Sequence, residues 1–245
     1  MSDRRHKLID IFRDTQVYCS ESGILKDAIK QSKENTVIYA PGDKPALPAG
    51  EREGTVTVTR HRTFEAAVAL HEKYPGKRIA VLNFASATNP GGGVTRGASA
   101  QEECLCRCST LYPVLDTGRL RSEYYSVNRA KHDALHDDTC IYSPGIVICK
   151  TDDDSPKRVK KDDFVTVDVI TCAAPNLRDV PANEYNPETG GRVQITPERL
   201  FALHLSRAEH IMHTAAHNGA DILIIGAFGC GAFRNDPRIV AMAYC

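Results

Sequence analysis

The sequence is narrowed first by what it lacks. No apolar run approaches the ~18 residues that a membrane-spanning helix needs. The charged N-terminus MSDRRHKLID has none of the apolar core of a secretion signal. Neither sign of charge is in excess, since Lys plus Arg and Asp plus Glu both total 31. There is therefore no global positive field for gripping a long nucleic acid, and no sequence-specific nucleic-acid partner is expected. A nucleotide-like ligand has to be held locally, by backbone amides and pocket shape. The nine cysteines are an odd count with no Cys-x-x-Cys pair, which reads as reduced thiols rather than a disulfide frame. The expectation is a soluble cytoplasmic protein with no membrane partner.

A second set of absences concerns chemistry. Neither glycine loop is followed by Gly-Lys-Ser/Thr, so neither is a P-loop, and neither fits the Gly-x-Gly-x-x-Gly dinucleotide fingerprint. No Gly-x-Ser-x-Gly elbow marks a serine hydrolase. His132/His136 and His213/His217 are four apart, but there is no His-Glu-x-x-His and no third ligand. On a helix Cys104 and Cys108 share a face while Cys106 looks away, so the three read as structural thiols. No metal and no cofactor are expected.

What is present suits one globular chain of 245 residues, with 42% hydrophobic and 25% charged residues, enough to bury a core without disulfide support. Residues 3–33 read as one or two helices from Leu8, Ile11, Phe12 and Leu25, Ala28, Ile29. Val37 to Tyr39 reads as a strand, Pro41 to Gly54 as loop, and the alternating Thr55 to Thr59 as a half-buried strand. Thr63 is placed as the N-cap of a helix over Phe64 to Tyr74. Ile79 to Phe84 reads as a strand that feeds Thr88-Asn89-Pro90-Gly91-Gly92-Gly93. Ser99 is placed as the N-cap of a helix from Gln101 to Leu111 that Pro113 stops.

Further on, Cys140 to Cys149 reads as two short strands around Ser143-Pro144-Gly145. The runs Asp152 to Asp154 and Lys157 to Lys161 read as solvated loops. Phe164 to Cys172 is a strand, Asp179 to Arg192 a loop, and Thr196-Pro197 starts a helix that Asn218-Gly219 closes. Ile222 to Ile225 is a strand that empties into a second glycine loop, Gly226 to Phe233, before a helix opened by Asn235-Asp236-Pro237. The sequence stops at Cys245 inside that helix, so the natural protein either is short or was cut there.

Two strand, glycine loop, helix units are thus expected, each at the strand end where α/β sheets bind ligands. Three consecutive glycines are costly to order and let a ligand approach the main chain closely. Seven residues separate Gly93 from Gln101, Glu102 and Glu103, which brings two carboxylates near whatever the glycines hold. On a helix adjacent Glu102 and Glu103 point about 100° apart and take different tasks, one gripping hydroxyls and one moving a proton; alone they would read as dipole partners of a helix N-terminus. Phe228 and Phe233 are candidates to cover a base or ribose, although a Phe beside a glycine loop is more often core.

Asn83 to Gly93, then Gln101-Glu102-Glu103, and later Gly226 to Phe233 closely resemble the microbial poly(ADP-ribose) glycohydrolase family of macrodomains. The resemblance extends to the helical N-terminus and to Thr171 to Asn176. It implies a three-layer α/β/α sandwich with a mixed central sheet, an N-terminal helical extension over residues 1–36, a macrodomain core over 37–245, and a sheet and helix that run on past Cys245. It also implies poly(ADP-ribose) or an ADP-ribosylated protein as substrate and ADP-ribose as product. By the match Glu103 is the catalytic acid/base, and Glu102 and Asn89 hold the distal ribose. Gln101 of the signature is placed among the substrate-binding residues; Gly91, Gly92, Gly93 and Val94, with Gly226, Phe228, Gly229, Cys230 and Gly231, wrap the diphosphate, and Phe233 packs on the ribose or adenine side. The alternatives are a hydrolase of single, for example arginine-linked, ADP-ribose, a non-catalytic ADP-ribose reader, and an unrelated nucleotide-binding module.

Overall fold

The computed structural model describes residues 3–43, 45–47 and 54–244. Two N-terminal helices, α1 (Asp3–Glu21) and α2 (Gly23–Asn35), precede β1 (Val37–Tyr39), α3 (Thr63–Lys73) and β2 (Ile79–Phe84). After the first glycine loop come α4 (Gln101–Cys108), α5 (Leu111–Leu115) and α6 (Gly118–Leu120). A π-helical segment (Arg121–Tyr125) then runs into α7 (Ser126–Lys131). The chain continues through β3 (Cys140–Ile148), β4 (Val165–Cys172), α8 (Pro197–His217), β5 (Ile222–Ile224) and α9 (Pro237–Tyr244).

The strands form one mixed sheet in the order β1-β3-β4-β2-β5. β2 lies parallel to both β4 and β5, while β3 runs antiparallel to β1 and β4. Side chains alternate across a strand, and here they feed two separate cores. Ile79 and Val81 of β2, with Val165, Val167 and Val169 of β4, pack against Phe12 of α1, Phe64 of α3 and Leu105 of α4. Ala80 and Leu82, with Ile170 and Cys172, pack against Ile211 and Ala215 of α8 and Val240 of α9. Helices thus cover both faces of the sheet, and the architecture is the three-layer sandwich expected. Ser22 caps α2 and Thr196 caps α8, each hydroxyl accepting a first-turn N–H, with Pro197 opening α8 as placed.

Several local expectations are corrected. The stretch expected as two short strands is one, Cys140–Ile148, interrupted by an irregularity between Ser143 and Ile146. Ile141 and Ile146 face the same core despite opposite parity, because the extra residues shift the count. Gly145 adopts φ +70°, and its freed N–H donates to Asp168 Oδ1 at 3.0 Å. Thr55 to Thr59 forms no strand: Val56 and Val58 are each 91% exposed and pair with no strand among the described residues. The cap of α3 is Arg62, whose N–H donates to Glu65 Oε2 at 2.8 Å, rather than Thr63. The α4 cap is Ala100 rather than Ser99, and α4 ends at Cys108. Pro113 lies inside α5, in a first turn that asks for no N–H from it. The strand expected through Ile225 ends at Ile224 and is only half-buried, since β5 is the sheet edge. Part of the loop expected from Pro41 to Gly54 lies outside the described residues, as does Cys245.

Candidate active site

β2 delivers the chain to the first half of the site. β5 pairs with β2 only as far as Val81, which leaves the next backbone groups on that side unclaimed. Gln101 takes them: its Oε1 accepts the Phe84 N–H at 2.9 Å and its Nε2 donates to the Leu82 carbonyl at 2.8 Å and to Thr63 Oγ1 at 3.1 Å. The first residue of α4 is thereby fixed to the end of β2, and the next two residues inherit that placement. The Gln101 amide is spent on this clamp.

Glu102 and Glu103 are both buried. Glu102 Oε1 accepts from Asn83 Nδ2 at 3.3 Å and its Oε2 from the Ser86 N–H at 2.8 Å. Asn83, itself buried, also donates to Thr171 Oγ1 on β4 at 3.2 Å. Glu103 Oε1 accepts the Gly93 N–H at 2.8 Å, while its Oε2 is buried without a protein partner. The helical wheel separates the two side chains, but the glycine loop reunites them. A Cβ on Gly92 would sit 2.5 Å from Glu103 Oε1 and 3.0 Å from Glu102 Oε2. Burial, then the charge of Glu103, pushes the Glu102 carboxyl well above its usual value, against hydrogen bonds from Ser86, Asn83 and Gly91.

The loop between β2 and α4 is a series of tight turns. Ser86 Oγ accepts the Thr88 and Asn89 N–H groups, Asn89 O accepts the Gly92 N–H at 3.0 Å, and Asn89 Nδ2 donates to the Gly92 carbonyl. Gly91 and Gly92 have φ of +67° and +57°, a region in which only glycine is at ease. Tyr112 and Cys106 crowd Gly91 from below. Gly97, φ +74°, ends the following turn, and a Cβ there would lie 2.5 Å from the Arg5 carbonyl of α1.

The second half of the site follows β5. In the loop from Gly226 to Phe233, Phe228 is fully buried, 5.6 Å from the Phe84 ring and 6.1 Å from His204 between ring centroids. Its ring therefore belongs to the core, and only its backbone is left to face a ligand. Phe233 is half-buried with the Arg178 guanidinium 5.7 Å above its ring. Gly226 is exposed, as is Gly231, while Gly229 and Cys230 are half-buried. Gly226 packs close to the Phe84 ring, so the second glycine loop is set against the end of β2, from which the first departs.

Asn235 organises this second loop and was legible in sequence only as a helix start. It is buried; its Nδ2 donates to Pro175 O at 2.7 Å and Gly229 O at 3.0 Å, and its Oδ1 meets His204 Nε2 at 2.9 Å. Asn83 and Ser86 were likewise missed as supports of Glu102. The segment from Leu177 to Arg192 spans both halves. Leu177 donates its N–H to Phe233 O at 2.9 Å, Asp179 pairs with Arg234, Glu188 with His132 at 3.1 Å, and Glu184 with Arg96.

No His, Cys, Asp and Glu cluster among the described residues is arranged to hold a metal ion. Burial pushes the Cys104, Cys106 and Cys108 thiols up, and Cys104 Sγ accepts from Arg107 Nη2 at 3.3 Å. His132 and His136 lie beyond the end of α7, both with positive φ, so their spacing is not helical. A groove of about 1050 Å³ between α2 and the starts of β2 and β4 contains neither carboxylate.

A mixed sheet between helical layers, with two glycine loops and a buried carboxylate pair at the strand ends, defines a macrodomain-like hydrolase. The catalytic-domain model of microbial-type PARG, poly(ADP-ribose) glycohydrolase, matches residues 8–151. A poly(ADP-ribose) glycohydrolase from Thermomonospora curvata superposes with TM-score 0.83 at 30% identity, covering 98% of this chain and 86% of that one. The same protein bound to the inhibitor ADP-HPD gives TM-score 0.81 at 31% identity, with the same coverage. The Deinococcus radiodurans enzyme in complex with ADP-ribose gives 0.71 at 37% identity, covering 88% of this chain and 82% of that one. No curated protein sequence matches the chain. The chain belongs to the microbial-type poly(ADP-ribose) glycohydrolase family. No helix among the described residues is long and apolar enough to cross a membrane.

Proposed function

We propose that this enzyme hydrolyses the ribose–ribose O-glycosidic bonds of poly(ADP-ribose), releasing ADP-ribose, with Glu103 as general acid and then general base. The observation that carries the assignment of roles is the difference between the two carboxylates. Both Glu102 oxygens are engaged by Asn83 and Ser86, whereas Glu103 Oε2 is buried and unpartnered beside the glycine loop.

The two carboxyl groups meet at one glycine, and burial, then the neighbouring Glu103, raises the Glu102 carboxyl well above its usual value. Acting as the general acid, Glu103 delivers a proton from Oε2 to the bridging oxygen as the bond from the anomeric carbon breaks. The ribose ring then carries positive charge, which the diphosphate and the Glu102 carboxyl favour. The resulting Glu103 carboxylate takes a proton from water as the water oxygen adds to the anomeric carbon, restoring the acid. Asn89 and Glu102 hold the distal ribose; Gly91 to Val94 and Gly226 to Gly231 wrap the diphosphate. Phe233 packs against the ribose or adenine. In this reading Gln101 of the Gly-Gly-Gly-x7-Gln-Glu-Glu signature serves the site through α4 rather than by touching substrate. Residues 1–36 act as an extension on a catalytic core over 37–245, in a cytoplasmic enzyme.

Glu103→Gln tests the assignment. ADP-ribose release from automodified poly(ADP-ribose) should fall at least about 1000-fold, while calorimetric affinity for ADP-ribose stays within a few-fold. Retained turnover would remove Glu103 from the chemistry.

A further inference from the structure

Beside Gly93 a single point in space borders both a carboxyl group and a guanidinium. A Cβ placed on Gly93 would lie 3.7 Å from Glu103 Oε1 and 3.9 Å from Arg96 Nη2. The Arg96 guanidinium and the carboxyl group assigned to protonate the scissile oxygen therefore border the same small space. It is not buried there: its side chain is 48% exposed, on the rim of the cleft. Glu184 pairs with it, and the Tyr185 ring lies 4.8 Å from the guanidinium carbon. Both partners belong to the segment that spans the two glycine loops. The Glu184 side chain is more exposed still, at 57%.

We propose that Arg96 binds a phosphate of the ADP-ribose unit on the leaving-group side of the scissile bond, and that Glu184 is the carboxylate that occupies Arg96 until the polymer displaces it. The proposal rests on the poly(ADP-ribose) reading above and names what sets polymer apart from shorter substrates at that site. An exposed ion pair is weakly held because water and salt screen it, so it is exchangeable. Phosphate offers a guanidinium the same two-pronged geometry as a carboxylate, with more charge behind it. The glycine loops wrap the diphosphate of the unit being released, so they leave the next unit unattended. Arg96 stands next to Glu103 rather than deep in the glycine cradle, where the chain continues past the broken bond. The face of Tyr185 holds the guanidinium flat and keeps it in place when Glu184 leaves. The structure thus contains a substrate phosphate site with a surrogate anion already in it.

The test compares two substrates: poly(ADP-ribose), and an ADP-ribose whose anomeric oxygen carries a neutral fluorogenic aryl group, which has no phosphate on the leaving side. Arg96→Ala should raise KM for the polymer about tenfold and KM for the aryl substrate less than twofold, with Arg96→Lys in between. Glu184→Gln should lower KM for the polymer two- to fivefold at low salt and leave the aryl substrate as it is. Equal KM changes for both substrates would assign Arg96 to the ADP-ribose cradle or to the scaffold and overturn the proposal, as would a polymer KM indifferent to Arg96→Ala or to Glu184→Gln. Wild-type enzyme that cleaves the aryl substrate but not the polymer would overturn both this proposal and the polymer reading. Circular dichroism of each variant separates a folding failure from these outcomes, and Arg96→Lys repeats the comparison if Arg96→Ala does not fold.

Discussion

Gln101 Oε1 accepts the Phe84 N–H at 2.9 Å, a bond that a neighbouring strand would make if β5 were longer. The side chain of α4's first residue thus acts as a fragment of strand and sets the helix on the sheet. Gln101→Ala leaves the Phe84 N–H and the Leu82 carbonyl without their partner. At roughly 1 kcal/mol for each lost bond, thermal denaturation should show about a 5 °C fall in Tm. Steady-state kinetics should show kcat falling more than KM rises, because the carboxylates shift together. A variant that loses stability with unchanged kcat would limit Gln101 to a structural part.

Gly92→Ala combines strain at φ +57° with a clash against both carboxylates. The chain can still fold, since the clash is with side-chain ends. A displacement of about 1 Å at a catalytic group costs on the order of 100-fold in rate. The expected result is kcat/KM down at least that far, with an unchanged far-ultraviolet dichroism spectrum.

Glu102→Gln should make the protein more stable and less active. The Glu102 carboxyl is raised in the folded state by burial and by Glu103. A raised acid contributes stability that is fully present below the unfolded value near 4.5 and is lost as pH rises through the folded value. Wild-type and Glu102→Gln melting temperatures should therefore converge in acid and separate above it, the variant melting higher at pH 7. Parallel curves across pH 4 to 8 would contradict the linkage.

His136 has the opposite sign of dependence. Burial, then the Arg207 charge, lowers it from 6.5 to about 4. Stability from its neutral form is present above pH 6.5 and lost as pH falls toward 4, amounting to about 3 kcal/mol over that window. His136→Asn, which tolerates the positive φ, should flatten the fall in denaturation midpoint between pH 6.5 and 4. An equally steep fall in the variant would show that other groups carry it.

How much was legible in the sequence depends on how far apart partners lie. Each strand, glycine loop, helix unit is carried by contiguous residues, so both glycine loops and the carboxylate pair could be located by eye. Gln101, Asn83 and Asn235 act by reaching groups 17, 19 and 31 residues away, at Phe84, Glu102 and His204. No local pattern encodes such reach. Thr55 to Thr59 carries a strand's alternation, but a strand also needs a partner, and the described residues offer none. Ser143-Pro144-Gly145 has the composition of a turn and becomes an irregularity because Asp168, 23 residues later, takes the Gly145 N–H.

Gly97 lies against the Arg5 carbonyl, and Arg5 precedes residue 8, where the match to the family model begins. The first turn of α1 is therefore the abutment against which the Gly91 to Gly97 loop is set. Starting the chain at residue 8 would leave every signature residue in place and remove the stop behind them. The support of the first glycine loop thus begins outside the stretch that the family model matches.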